Sequence, residues 1–115
     1  MSQYHEPYEV LSEKTKDITR ALLSLKEEIE AVDWYNQRVN ATNDPALKEI
    51  MAHNRDEEIE HAVMSIEWLR RNMDGWDEEL RTYLFTDGNI LELEEGEDEG
   101  KEATSVKDLG IGDLK

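Results

Sequence analysis

Apolar positions recur at alternating steps of four and three residues through the first third of the chain. Leu11, Ile18, Leu22, Leu25, Ile29, Val32 and Val39 carry the stripe, and Thr15 and Asn36 fill its two polar places. That is the seam of a packed helix. From about Glu9 to Asn40 neither Gly nor Pro interrupts it, and Pro7 suits a first helical turn. The pattern breaks in ATNDP, where Asp44 is a good N-cap and Pro45 a good first residue for a second helix. This second helix is predicted over Pro45 to Asn72 and carries two rows. One is apolar: Ile59, Ala62, Ile66, Leu69 and Met73. The other is mixed: Leu47, Met51, Asn54, Glu58, His61, Ser65 and Trp68. Asp74-Gly75 ends the helix, and Trp76 to Thr86 predicts a short third one with Trp76, Leu80, Tyr83 and Leu84 on an apolar face for docking on the hairpin. The expected fold is all-α: an antiparallel two-helix hairpin with a short third helix. Such a hairpin is too small to bury both its faces, so a four-helix bundle is expected only on dimerisation.

Composition narrows this picture. The chain has 115 residues, 37% of them charged, with a formal net charge of −16 and no cysteine. A surface this acidic repels nucleic acid and anionic membrane and attracts cations or basic partners. Without thiolates, any metal must be held by oxygen and nitrogen. No apolar run reaches membrane-spanning length, and MSQYHEPYEV lacks the blocks of a signal peptide, which predicts a cytoplasmic location. From Asp87 to Lys115 there are ten acidic and three basic residues. The chain is therefore expected to divide into a helical domain at residues 1–87, a disordered acidic linker at 88–105 and a short binding peptide at 106–115. In the peptide, Val106, Leu109, Ile111 and Leu114 restore apolar character.

Candidate chemistry lies in the mixed row of the second helix. Glu58 and His61 stand three residues apart, so a carboxylate and an imidazole share one helical face. A structural helix seldom places such a pair in an otherwise packable row, because burying unpaired charge is unfavourable. Glu-x-x-His is half of the inward ligand motif of dinuclear carboxylate bundles, which need two such motifs and one further Glu from each of two other helices. Glu28, at the flank of the first seam, is the candidate further Glu, expected level with Glu58 across the hairpin; Tyr35 lies one heptad beyond it. Two copies supply four Glu and two His, a full di-iron ligand set. Glu27, Glu30 and Trp34 crowd near Glu28 on a more exposed side, either as ordinary solvated residues or as a weak outer cation site. His53 lies off the row of His61 and reads as a surface group.

EEIEAVDWYNQRV, AHNRDEEIEHAVMSIEWLRRN and LRTYLFT together resemble the encapsulated ferritins, ferroxidases stored inside encapsulin nanocompartments. The resemblance spans roughly Glu6 to Asp87. It implies a ferritin-like bundle completed by dimerisation, with dimers joined in a ring of ten. It implies Glu28, Glu58 and His61 as iron ligands, Glu58 as the bridge between two ions, and Tyr35 as a tyrosine beside the site. Glu27, Glu30 and Trp34 become an outer metal entry site, and Ca or Zn are expected to substitute for iron in vitro. The ending DLGIGDLK resembles peptides that load cargo into the encapsulin shell, which places the protein in that lumen. The implied activity is oxidation of Fe(II) to Fe(III) by oxygen, for mineral storage in the shell. Two other readings remain open: a non-catalytic acidic metal-buffering cargo or adaptor protein, and a plain coiled-coil module.

Overall fold

A computed structural model describes residues 3–98 and 100, and all regular structure among them is helical. The chain enters through a 3-10 turn at Tyr8–Val10 and then forms α1, Glu13–Ala41. The helix thus begins later than the unbroken seam suggested. Ser12 is extended, at φ −70° and ψ 158°, and its hydroxyl accepts from the Thr15 N–H, so the cap and not the seam sets the start. Ahead of it Tyr4 and Tyr8 meet edge to face, and buried Lys16 places its ammonium 3.7 Å from the centre of the Tyr8 ring. Lys16 also pairs with Glu13 at 3.2 Å, which supplies the hydrogen bond its burial requires.

α2, Pro45–Asn72, starts where its sequence signals place it: the Asp44 carboxylate accepts from the Leu47 N–H at 3.0 Å and Pro45 opens the first turn. Three bonds cross between α1 and α2. Lys14 Nζ reaches Asn72 Oδ1 at 2.8 Å, Ser65 Oγ donates to Glu28 Oε1 at 2.8 Å, and Arg55 donates to Asn36 Oδ1 at 3.1 Å. As the α1 number rises the α2 number falls, which is the antiparallel hairpin expected.

Its core is thin. Leu25, Ala62 and Leu69 are buried, and of these only Leu69 is fully withdrawn from water, at 0% exposure. Other members of the same stripes stay open: Ile29 is 54% exposed and Ile59 45%. Between them runs a groove of about 700 Å³ lined by Ile29, Val32, Ile59, Ala62 and Val63, with Asp33 and Arg55 among its polar residues. One hairpin therefore leaves much of its own apolar stripe against water.

The chain divides into two compact units, residues 1–74 and the stretch from Gly75 onward. Gly75 has φ 101°, a left-handed conformation that glycine adopts without penalty, and α3 follows as Trp76–Tyr83. It stops short of Thr86 because Phe85 takes φ 61°, which no helix can continue through; the Thr86 hydroxyl satisfies the Tyr83 carbonyl at 2.9 Å. Beyond it, residues 90–98 are helical where a disordered linker was expected. Asn89 caps this segment, its side chain accepting from the Glu92 N–H and its carbonyl from the Leu93 N–H, each at 3.1 Å. Leu and Glu are good helix formers, and the cap adds to their propensity against the mutual repulsion of the acidic side chains. The peptide expected at 106–115 lies outside the described residues. No helix among the described residues is long and apolar enough to cross a membrane.

Candidate metal centre

Glu58, His61 and Ser65 stand along one row of α2, spaced three and four residues apart, and Glu28 reaches that row from α1. All four are half-buried. His61 Nδ1 and Glu58 Oε1 are 2.7 Å apart, so imidazole and carboxylate share a proton at one point. Donors adjacent on a single metal ion, with bonds of about 2.1 Å, stand at about the same separation or slightly more. The pair is therefore already set at the spacing a cation needs, with a proton where the cation would go.

Glu28 is not level with Glu58, as the sequence pattern suggested. It faces Ser65, and the seven residues from Ser65 back to Glu58 span about 10 Å of helix rise. His61 falls between, one turn from Ser65. The Glu28 charge still acts on His61: the imidazole pKa is raised above its ordinary 6.5, first by the hydrogen bond to Glu58, then by the charges of Glu58, Glu28 and Glu57, against an opposing effect of burial. Among the described residues no Lys or Arg pairs with Glu28 or Glu58. Two carboxylates are thus held partly out of water, with only an imidazole and a hydroxyl for partners.

The remaining candidates scatter around this centre. Glu27 and Trp34 are exposed, Trp34 at 53%, while Glu30 and Tyr35 are half-buried. Tyr35 lies under Arg38, whose guanidinium carbon is 5.2 Å from the ring centre. His53 is exposed and sits 3.5 Å from Glu57. A further acidic grouping in the hairpin differs from the expected one: donor atoms of Glu57, Glu60 and His61 all lie within 4.8 Å of one another. These are neighbours on a single helix turn, and Glu57 and Glu60 are exposed, so local spacing alone accounts for the cluster. Glu28 reaches the row of Glu58 from the other helix and both are half withdrawn from solvent, which local spacing does not explain. Ser65, which the sequence showed only as one polar member of the mixed row, is the residue that ties Glu28 to that row. Beside it opens a depression of about 490 Å³ lined by Arg20, Ser24, Met64 and Trp68.

The donor set fits iron. Carboxylate oxygen and imidazole nitrogen suit a borderline-to-hard divalent ion, and two carboxylates per chain with no Lys or Arg partner among the described residues favour positive charge. A single chain nevertheless presents three candidate donor side chains on its two helices, fewer than a dinuclear site requires.

Comparison with known proteins places this arrangement in context. The EncFtn-like family model matches residues 3–87. A "Ferritin-like protein" of Thermotoga maritima is 62% identical over 112 residues, covering 97% of this chain and 97% of the relative. An "Encapsulated ferritin-like protein" of Rhodospirillum rubrum is 56% identical over 121 residues, covering 96% of this chain and 86% of the relative. The crystal structure of protein ne0167 from Nitrosomonas europaea superposes with a TM-score of 0.74 at 57% identity, covering 77% of this chain and 98% of that one.

The His61–Glu58 contact makes the metal-free protein sensitive to pH. Because the folded pKa of His61 is raised, its contribution to stability is complete below about 6.5 and is lost as pH rises through the elevated folded value. In an NMR titration of metal-free protein the His61 ring should titrate above 6.5, and Glu58→Gln should lower its midpoint. A midpoint at or below the ordinary value would show that the pair is not formed in solution.

Proposed function

Because the chain belongs to the EncFtn-like family, we propose that it is a ferroxidase whose di-iron centre is completed only when two copies pair. The observation that carries this reading is the half-built centre. Glu28, Glu58 and His61 lie along one row of the hairpin, neither carboxylate has a Lys or Arg partner among the described residues, and the apolar stripe beside them is open to water. A second copy related by a two-fold axis brings the donors to four carboxylates and two imidazoles, whose charge balances two Fe(II) ions. It also covers the exposed stripe.

In this reading Fe(II) is the substrate and gives up one electron to oxygen. The residues of the chain hold and position it. Glu58 and His61 exchange their shared proton for the ion, so binding releases protons and weakens as pH falls. Glu28 would add a carboxylate to the donor set from α1, and Glu58 would be the carboxylate shared by both ions. Tyr35 stands beside the centre, and Glu27, Glu30 and Trp34 form the outer site through which ions arrive. The carboxylate-rich surroundings favour the ferric product over the ferrous substrate, since added positive charge is stabilised by the surrounding negative charge. Dimers of this kind assemble into a ring of ten. An open helical assembly encloses no storage volume, so ferric mineral accumulates in the lumen of an encapsulin shell.

Residues 106–115 are the address for that shell. Leu109 and Ile111 alternate as in an extended strand and Leu114 adds a third apolar anchor, a pattern suited to a groove. Three buried aliphatic side chains contribute about 5 kcal/mol before ordering losses, so several tails per ring would bind by avidity. The Rhodospirillum rubrum relative is by name an encapsulated protein, which supports the same destination here.

Two experiments test the reading. Glu28→Ala, Glu58→Ala and His61→Ala should each slow Fe(II) oxidation by at least about tenfold, the lower end of the loss that follows removal of even an outer partner of a metal ligand. Glu27→Ala and Glu30→Ala should change uptake less, in either direction. Oxygen consumption that stops after one stoichiometric round in the unaltered protein would instead indicate a metal buffer, and a His61→Ala protein of full rate would overturn the ligand assignment. Separately, deleting the residues after Ser105 should abolish co-purification with a co-expressed encapsulin while leaving ferroxidase rate unchanged. Loading that survives the deletion would place the address in the helical body.

A further inference from the structure

We infer that Ser65 is a positioning residue for Glu28, fixing how that carboxylate meets a metal ion. The inference rests on the reading of Glu28 as a ligand. Ser65 Oγ donates to Glu28 Oε1 at 2.8 Å, across the hairpin from α2 to α1. No other hydrogen bond to Glu28 is present among the described residues, and no cation holds it.

A free glutamate on a helix surface samples several rotamers, and a ligand that must be ordered on binding loses affinity by that entropy. The Ser65 hydroxyl removes much of this freedom beforehand. It also engages one carboxylate oxygen as a hydrogen-bond acceptor, which directs the other oxygen, Oε2, to the metal and disfavours chelation by both. Donation to a ligating carboxylate further draws electron density from it and tunes the bound ion. Position matters as much as chemistry. Ser65 is four residues beyond His61 and seven beyond Glu58 on the same helical row, so the residue that orients the α1 ligand is rigidly tied to both α2 ligands. The separation of α1 from α2 at this level is thereby coupled to the geometry of the centre. A hydroxyl suits this role because it donates to the carboxylate without adding charge, whereas Lys or Arg would compete with the ion.

The full-length chain, freed of metal by chelation, is titrated with Co(II) while the ligand-field absorption is recorded. Ser65→Ala should bind Co(II) about tenfold more weakly, with a changed ligand-field spectrum as both Glu28 oxygens become available. Alanine is a better helix former than serine, so the helix persists. Ser65→Thr keeps the hydroxyl and should restore both affinity and spectrum. A Ser65→Ala protein that matches the unaltered chain in both respects overturns the inference, and so does weakened binding that threonine does not restore, since volume rather than the hydroxyl would then matter. Glu28→Ala separates the two levels. If it binds Co(II) as the unaltered chain does, Glu28 is not a ligand, and the role of Ser65 falls with that assignment. If Glu28→Ala weakens binding and Ser65→Ala does not, the ligand stands and only the positioning role fails.

Discussion

Two carboxylates held half out of water with no Lys or Arg paired to them among the described residues set the terms for the rest of this structure. Glu28 is supported by a hydroxyl and Glu58 by an imidazole, and no Lys or Arg pairs with either among the described residues. Removing a carboxylate from water is unfavourable unless hydrogen bonds and opposite charge compensate. The hairpin supplies a hydrogen bond to each and, when His61 is protonated, one positive charge beside Glu58; Glu28 receives none. In a chain of net charge −16, doubling the site without metal would bring four carboxylates together, and with two divalent ions the same site is neutral. In the proposed centre, metal and second copy answer a single electrostatic problem.

The packing leads to the same place by a different route. A helix pair with three buried apolar residues is a small core for two helices of 29 and 28 residues. Ile29 and Ile59 remain about half exposed, although the periodicity places them on packing stripes. A two-helix protomer can make its ligand row accessible to a partner only by leaving such stripes uncovered. In the proposed dimer, thin core and half-built site are two aspects of one architecture, since exposed Ile29 and Ile59 adjoin Glu28 and Glu58 in the chain.

How far the sequence led depends on which physical rule governs each feature. The limits of α2 were legible because Asp44, Pro45 and the Asp74-Gly75 break are local signals that act where they stand. The onset of α1 was misplaced because an apolar seam runs through Leu11 without regard to backbone conformation, whereas the Ser12 cap fixes the start. Phe85 ends α3 through a left-handed conformation that no propensity suggests for phenylalanine. Residues 90–98 are helical although an acidic run suggests solvation, because the Asn89 cap organises a helix there; residues 99 and 101–105 of the expected linker lie outside the described residues. Within the site, periodicity chose the face carrying Glu58, His61 and Ser65. It could not choose the axial offset of one helix against the other. That offset places Ser65, not Glu58, opposite Glu28. A one-helix pattern constrains rotation about the axis, and only cross-helix contacts fix translation along it.

The central claim is that metal and dimerisation are one event. Sedimentation velocity of the full chain, in chelator and then with anaerobic Fe(II), tests it most directly. Metal should move the protein from a smaller species to a dimer or larger assembly at protein concentrations where the chelated form stays apart, and Glu28→Ala should blunt the shift. An association state indifferent to metal at every protein concentration would contradict a centre shared between copies.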